Sequence, residues 1–271
     1  MGEYVDVLGH PTWVHRGSGS GETVLLLHGG MSCSDDLLNV LEEPLARSFS
    51  VAAFDRRGHG RTRDSEAPFH YADMAREVAA VVEHLGAPVH LVGWSDGGIA
   101  ALLVARERPD LVARQVLIGT NFHHDGVVAD LPEGQSALGA AMQRAYEERS
   151  PDGPDHFAVV EAKFEEMSRS EPTMGVEDLR TVAAPTLVLA GDDDVIRLDH
   201  TAALFEALPH AQLAIVPGAS HAVPMEKPDL VARLIADFLR APVPPETALP
   251  VRRASPAPAP QESVDQAASN H

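Results

Sequence analysis

The chain has 271 residues, 44% of them hydrophobic and only 5% aromatic, which is enough apolar material for a sizeable core built mostly from Ala, Val and Leu. A formal net charge of −19 opposes attraction to phosphate backbones and anionic lipid, which sets nucleic acid and membrane partners aside. The single cysteine, Cys33, excludes an internal disulfide and any cysteine metal cluster.

Residues 1–14 carry Glu3, Asp6, His10 and Pro11, with no basic start and no apolar centre, so no signal peptide is expected. No apolar run approaches the roughly 18 to 20 residues of a membrane span, and the expected location is the cytoplasm. Residues 4–7 and 12–15 read as short strands, followed by a glycine-serine turn at 17–21. Residues 23–27 form a continuous apolar run, as expected for a strand buried on both faces of a parallel sheet. It ends in His28-Gly29-Gly30-Met31, where paired glycines leave the backbone bare and make the Gly30 N–H a candidate oxyanion donor.

Helical spacing follows over 35–47 (Leu37, Leu38, Leu41, Leu45), then a strand over 51–54. Asp55-Arg56-Arg57-Gly58-His59-Gly60-Arg61 lacks the ending and spacing of a phosphate loop, so its arginines are expected to pair with the protein's own carboxylates. A second amphipathic helix is expected over 71–85. Strands and helices thus alternate, the signature of βαβ units and a parallel sheet.

An apolar run ending at Leu91 and Val92 leads into Gly93-Trp94-Ser95-Asp96-Gly97, and an Ala/Leu-rich helix is expected over 99–106. Strand, sharp turn and helix are the context in which G-x-S-x-G becomes a nucleophile motif. A serine held there sits in strained backbone, and its neighbours two residues away must lack bulk because strand and helix converge. The helix start puts the Asp96 N–H where an oxyanion would form.

A strand over 115–118 comes next, and then the pattern changes. From 122 to about 180 there is no strand signal, only apolar residues at helical intervals (Leu138, Met142 and Tyr146; Phe157, Val160, Phe164 and Met167), so an inserted helical lid is expected at 121–180. Its Met and Phe stripes are expected to pack on the sheet domain and to line a pocket where the two meet. Alternation resumes with a strand over 186–190, a loop at 191–194, a helix over 199–208, a strand over 212–216, a loop at 217–221 and a helix over 228–240. Residues 241–271 are rich in Pro, Ala and Ser and are expected to be a disordered tail.

A serine hydroxyl needs a base within hydrogen-bond reach, and that base needs an orienting acid. His221 stands out among 14 histidines because it lies in a Gly/Ser loop between the last strand and the last helix. Asp192, Asp193 and Asp194 precede it at the end of another strand. Ser, then Asp, then His is the order expected when the nucleophile sits on an α/β sheet. The three aspartates could instead ligate a divalent cation, but no second cluster has supporting spacing, and neither metal nor cofactor is expected.

His28-Gly29-Gly30, Asp55-Arg56-Arg57-Gly58-His59-Gly60, Gly93-Trp94-Ser95-Asp96-Gly97-Gly98, Gly191-Asp192-Asp193-Asp194 and Gly218-Ala219-Ser220-His221 together resemble the α/β-hydrolase superfamily over residues 23–240. The resemblance implies a mostly parallel, doubly wound sheet with core parts at 1–120 and 181–240 around the lid. It implies Ser95, Asp194 and His221 as catalytic residues, with the acid three residues after Gly191. It also places the oxyanion donors on the N–H groups of Gly30 and Asp96. Residues 91–100 are most similar to the valacyclovir-hydrolase (biphenyl hydrolase-like) group of serine esterases, which implies that Asp96 holds a substrate amino group; the plain alternative is that Asp96 only caps its helix. His28, Trp94 and Asn121 are further candidate substrate contacts.

The reading is a serine hydrolase that cleaves a small carboxylic ester through an acyl-enzyme, with a small-molecule substrate as partner. Lactonase, thioesterase, C–C bond hydrolase and cofactor-free perhydrolase chemistries share the same three residues, and a non-catalytic ligand-binding protein is the alternative of another class.

Overall fold

In a computed structural model, residues 2–129, 137–243 and 245–251 are described. Eight strands make one sheet: β1 (Gly2–Val7), β2 (His10–Arg16), β3 (Thr23–Leu27), β4 (Ser50–Phe54), β5 (Val89–Trp94), β6 (Val112–Ile118), β7 (Thr186–Asp193) and β8 (Ala211–Ser220). Their spatial order is β1-β2-β4-β3-β5-β6-β7-β8. β1 pairs antiparallel with β2, and β2 with β4; every other neighbouring pair is parallel.

The helices are α1 (Ser34–Ala46), α2 (Tyr71–Leu85), α3 (Asp96–Glu107), α4 (Ala137–Arg149), α5 (Phe157–Ser168), α6 (Val176–Leu179), α7 (Leu198–Ala207), α8 (Val223–Glu226) and α9 (Pro228–Arg240). They explain why the central strands are apolar at every position. Leu25, Leu27, Leu91 and Leu117 enter a core shared with α2, α3 and α7, whereas Val24, Leu26, Val92, Val116 and Ile118 enter one shared with α1 and α9. A strand covered on both faces has no solvent side on which to place polar residues. In α1, Leu37, Leu41 and Leu45 form the buried stripe, while Asp35 and Asp36 lie in the first turn, where the helix dipole favours them. α2 stops at Gly86, whose φ of 90° is the left-handed end that glycine adopts without strain.

Several boundaries differ from the sequence expectation. α3 begins at Asp96 rather than near Ile99, because the Ser95 carbonyl already accepts the N–H groups of Gly98 and Ile99. β7 and β8 outrun the runs expected at 186–190 and 212–216. Their ladder continues through Ala190↔Ile215 and Gly191↔Val216 and, after an irregularity, to Asp193↔Ser220. The stretches expected as loops at 191–194 and 217–221 are therefore mostly strand, and Asp194 and His221 directly follow the two strand ends. The short α8 was not anticipated.

Between β6 and β7 the chain runs through α4, a 3-10 turn at Pro154–His156, α5 and α6, where the helical lid is expected. Residues 130–136 of that stretch lie outside the described residues. Tyr146, Val160 and Met167 join the sheet core. Ion pairs and histidine–carboxylate hydrogen bonds fasten the rest: Arg149 pairs with Asp35 at 2.9 Å and Lys163 with Asp64 at 2.6 Å, while His156 bonds Asp64 at 3.0 Å and His70 bonds Glu171 at 2.6 Å. The Asp64 side chain is only 2% exposed. Burial works to raise its carboxyl, but hydrogen bonds from Lys163 and His156 outweigh this and hold it below the ordinary carboxylate range.

Among the described residues no helix is long and apolar enough to cross a membrane. The described residues at 241–243 and 245–251 contain neither helix nor strand. The remainder of the expected tail, residue 244 and residues 252–271, lies outside the described residues.

Candidate active site

Ser95 occupies the turn between β5 and α3 with φ 54° and ψ −120°, left-handed backbone that a non-glycine residue rarely adopts. The convergence of strand and helix that the motif demands is visible in the packing. A Cβ on Gly93 would lie 2.3 Å from the Gly97 carbonyl oxygen, and one on Gly97 would lie 2.1 Å from the Leu27 carbonyl oxygen. The turn is anchored to β6, since the Ser95 N–H donates to the Ile118 carbonyl at 2.8 Å.

His221 lies within hydrogen-bond reach of both expected partners: Nε2 is 3.0 Å from Ser95 Oγ and Nδ1 is 2.7 Å from Asp194 Oδ1. An ionised carboxylate only accepts, so the ring proton belongs on Nδ1, and Nε2 is left to accept from the serine hydroxyl. The indole N–H of Trp94 donates to the His221 carbonyl at 2.8 Å and holds that segment against the elbow. The choice among three aspartates is decided by direction. Asp192 Oδ1 accepts the Ala219 N–H at 3.2 Å, Asp193 is exposed, and Asp194 alone meets the imidazole.

A cavity of about 330 Å³ opens beside Ser95 and His221. The sheet side contributes Gly30, Met31 and Trp94; the inserted segment contributes Met142, Phe157 and Phe164, so its apolar stripes face the cavity as well as the core. Glu161 of α5 also lines it, though no motif flags that residue in the sequence.

Asp96 is 4% exposed and accepts the Tyr71 hydroxyl through Oδ1 at 2.8 Å. Its Oδ2 is buried and has no hydrogen-bond partner among the described residues. Burial pushes this carboxyl above its ordinary range, against the opposing pull of Arg56 and Tyr71. Oδ2 lies just behind the cavity wall: a Cβ on Gly30 would be 2.7 Å from it and 2.5 Å from Phe164 Cε2. Tyr71 lies on α2, and nothing in the helical pattern marks it as a neighbour of the site.

Two expected substrate contacts are corrected. His28 is 1% exposed, and neither it nor Asn121 lines the cavity. His28 Nε2 accepts the Arg56 N–H at 3.2 Å, which leaves Nδ1–H to donate to the Gly29 carbonyl at 2.8 Å. Burial, aided by the adjacent Arg56 charge, holds its pKa well below the ordinary value and keeps the ring neutral. Asn121 spends its amide on the His123 carbonyl at 3.0 Å. Trp94 does line the cavity. The arginines of the 55–61 stretch divide: Arg57 lies 3.4 Å from Asp64 and Arg61 lies 2.7 Å from Asp35, but among the described residues the Arg56 side chain donates only to backbone carbonyls.

Among the described residues, the one grouping whose donor atoms could share an ion is His123, His124 and Asp125, within 4.8 Å of one another. They are consecutive residues, and His123 Nδ1 already accepts the Asp125 N–H at 3.2 Å.

Sheet order, the sharp β5–α3 turn and the strand-end placement of Asp194 and His221 are the architecture of an α/β hydrolase. The chain belongs to the alpha/beta hydrolase family, whose model matches residues 24–234. It is 29% identical over 257 residues to a non-heme haloperoxidase of Rhodococcus erythropolis, covering 82% of this chain and 94% of that one. It is 27% identical over 238 residues to the serine hydrolase BPHL of Mus musculus, covering 82% and 81%. In structure it is similar to a serine hydrolase involved in carbazole degradation (TM-score 0.74, 22% identity, 88% of this chain and 98% of that one), a likeness of fold. Family and relatives support a hydrolase.

Proposed function

We propose that the protein is a serine hydrolase of small carboxylic esters. The observation that supports this reading most directly is His221, within hydrogen-bond distance of Ser95 Oγ on one side and Asp194 Oδ1 on the other. In the reaction His221 Nε2 takes the Ser95 proton as Oγ attacks the ester carbonyl, and Asp194 steadies the imidazolium that forms. The carbonyl oxygen becomes an oxyanion held by the N–H groups of Gly30 and Asp96, each typically worth about 3 to 4 kcal/mol of barrier. His221 then protonates the departing alcohol. A water, deprotonated by the same nitrogen, attacks the acyl-enzyme and releases the acid. The chemistry asks for no cofactor.

The Asp96 carboxylate supports a narrower reading, hydrolysis of α-amino-acid esters. Its Oδ2 has no protein partner among the described residues and, although Asp96 does not itself line the cavity, lies behind the wall made by Gly30 and Phe164, so an ammonium group would satisfy it once that wall gave way. BPHL, the similar mouse protein, is itself described as a serine hydrolase. The test is labelling by a fluorophosphonate probe together with a screen of p-nitrophenyl and aminoacyl esters. Labelling at Ser95 and its loss in Ser95→Ala are expected. An unlabelled, inert wild-type protein would instead favour a ligand-binding role for the same cavity.

A further inference from the structure

Arg56 is a costly residue to place where it stands. It is 1% exposed, and among the described residues no carboxylate lies within ion-pair distance of its guanidinium. Its Nε has no partner, while Nη1 donates to the His28 carbonyl at 2.5 Å and Nη2 to the Gly29 carbonyl at 2.9 Å. Asp96, Glu77 and Asp55 answer its charge only from beyond contact distance, while its hydrogen bonds go to carbonyls, an arrangement that an ion-pairing role does not explain.

The bonds it makes converge on one peptide group. Gly29 O accepts from Arg56 Nη2 and from His28 Nδ1–H, so both of its lone pairs are taken from the buried side of the loop. In a trans peptide the N–H points opposite the C=O. The N–H of Gly30 therefore faces away from Arg56 and His28. Gly29 and Gly30 both line the cavity beside Ser95, and a Cβ on Gly29 would lie 3.4 Å from Ser95 Cβ. The same contacts that fix the direction of the amide also polarise it, since a carbonyl bonded to a cation makes its own N–H a stronger donor.

We infer that Arg56 is a positioning residue for catalysis: by clamping the Gly29 carbonyl it aims and strengthens the Gly30 N–H as an oxyanion donor, with neutral His28 as the second jaw of the clamp. This rests on the serine-hydrolase reading. It assigns a function to the one arginine of the 55–61 stretch with no carboxylate at ion-pair distance among the described residues.

The test compares wild type, Arg56→Met and Arg56→Lys on one neutral p-nitrophenyl ester, with inhibition by phenylboronic acid, which adds to the serine and carries an oxyanion-like oxygen. Loss of an oxyanion donor lowers kcat by about 10²-fold or more, so Arg56→Met is expected to lose kcat on that scale with KM within about two-fold. Phenylboronate affinity should fall in parallel, the pH midpoint of kcat/KM should stay in place, and Arg56→Lys should recover part of the loss. Unchanged kcat and boronate affinity in folded Arg56→Met, or a loss carried by KM or by a moved pH midpoint, would overturn the inference while leaving an active hydrolase. A wild type that neither cleaves esters nor labels at Ser95 removes the parent reading as well. Should the variants fail to fold, the amide resonance of Gly30 in wild type decides: it is expected to shift downfield when phenylboronate adds to Ser95, and an unmoved Gly30 signal overturns the clamp.

Discussion

Replacing Asp194 with Asn tests the proposed proton relay at its least exposed point. Asp194 Oδ1 lies 2.7 Å from His221 Nδ1, on a side chain that is 2% exposed. During attack on the substrate the imidazole becomes positive, and the carboxylate is the charge that answers it. With charge centres about 4 Å apart and an effective dielectric near 20, that attraction is about 4 kcal/mol, or about 10³-fold in rate. Asparagine can also turn its amide N–H₂ toward Nδ1, which favours the tautomer protonated on Nε2, and that tautomer cannot accept the Ser95 proton. The added cost brings the expected loss in kcat to between 10³- and about 10⁴-fold. Because Asp194 meets His221 rather than the cavity, KM should stay within about two-fold. Initial rates on p-nitrophenyl acetate, with circular dichroism to verify folding, read all three quantities. A loss below about ten-fold, or one carried mainly by KM, would refute the role given to Asp194.

Asp96→Asn should lower kcat/KM on α-amino esters by about 10- to 100-fold and leave neutral isosteres within about two-fold, because only the former use the charge of Oδ2. Equal losses on both classes would leave Asp96 a helix or oxyanion role instead. The same variant should melt higher than wild type at pH 7 but not at pH 3. A carboxyl whose folded pKa is raised stabilises the fold at acid pH and loses that contribution as pH climbs through the raised value. Asp64 has the opposite sign. Its folded pKa is lowered, so its contribution is present above the unfolded value near 4 and is lost as pH falls. Asp64→Asn should therefore cost about 3 kcal/mol at pH 7, with the gap to wild type narrowing at pH 3, as read by urea denaturation at both.

Legibility in the sequence followed how much local chemistry each feature carried. β3 is a clean apolar run between a glycine turn and a His-Gly-Gly stop, and α2 has a strong buried stripe ended by Gly86, so both were bounded where they fall. The far ends of β7 and β8 were hidden because Gly191, Asp192, Pro217 and Gly218 have loop composition, and their strand character comes from pairing with each other rather than from propensity. Four residues of α8 are too few to show a period. At the site, the order of Ser95, Asp194 and His221 was readable from spacing on strand ends, while selecting Asp194 from its neighbours took the family resemblance. His28 and Asn121 show the limit of that reasoning. A position beside a site does not reveal which way its side chain turns, and both turn to the backbone. Arg56 was indistinguishable from Arg57 in sequence, and only the fold separates an arginine bound to backbone carbonyls from its half-buried, ion-paired neighbour.

β6 and β7 are paired to each other from Gln115↔Thr186 through Ile118↔Leu189, yet the whole helical segment that faces the cavity is spliced between them in the chain. The detour leaves and returns on adjoining rails, so its replacement keeps the strand ladder that carries Ser95, Asp194 and His221, provided the newcomer refills the core positions of Tyr146, Val160 and Met167. Transplanting the equivalent segment from another hydrolase between residues 121 and 180 should therefore yield chimeras that still cleave activated esters but choose among them differently. Reactivity and taste, in this architecture, can be inherited separately.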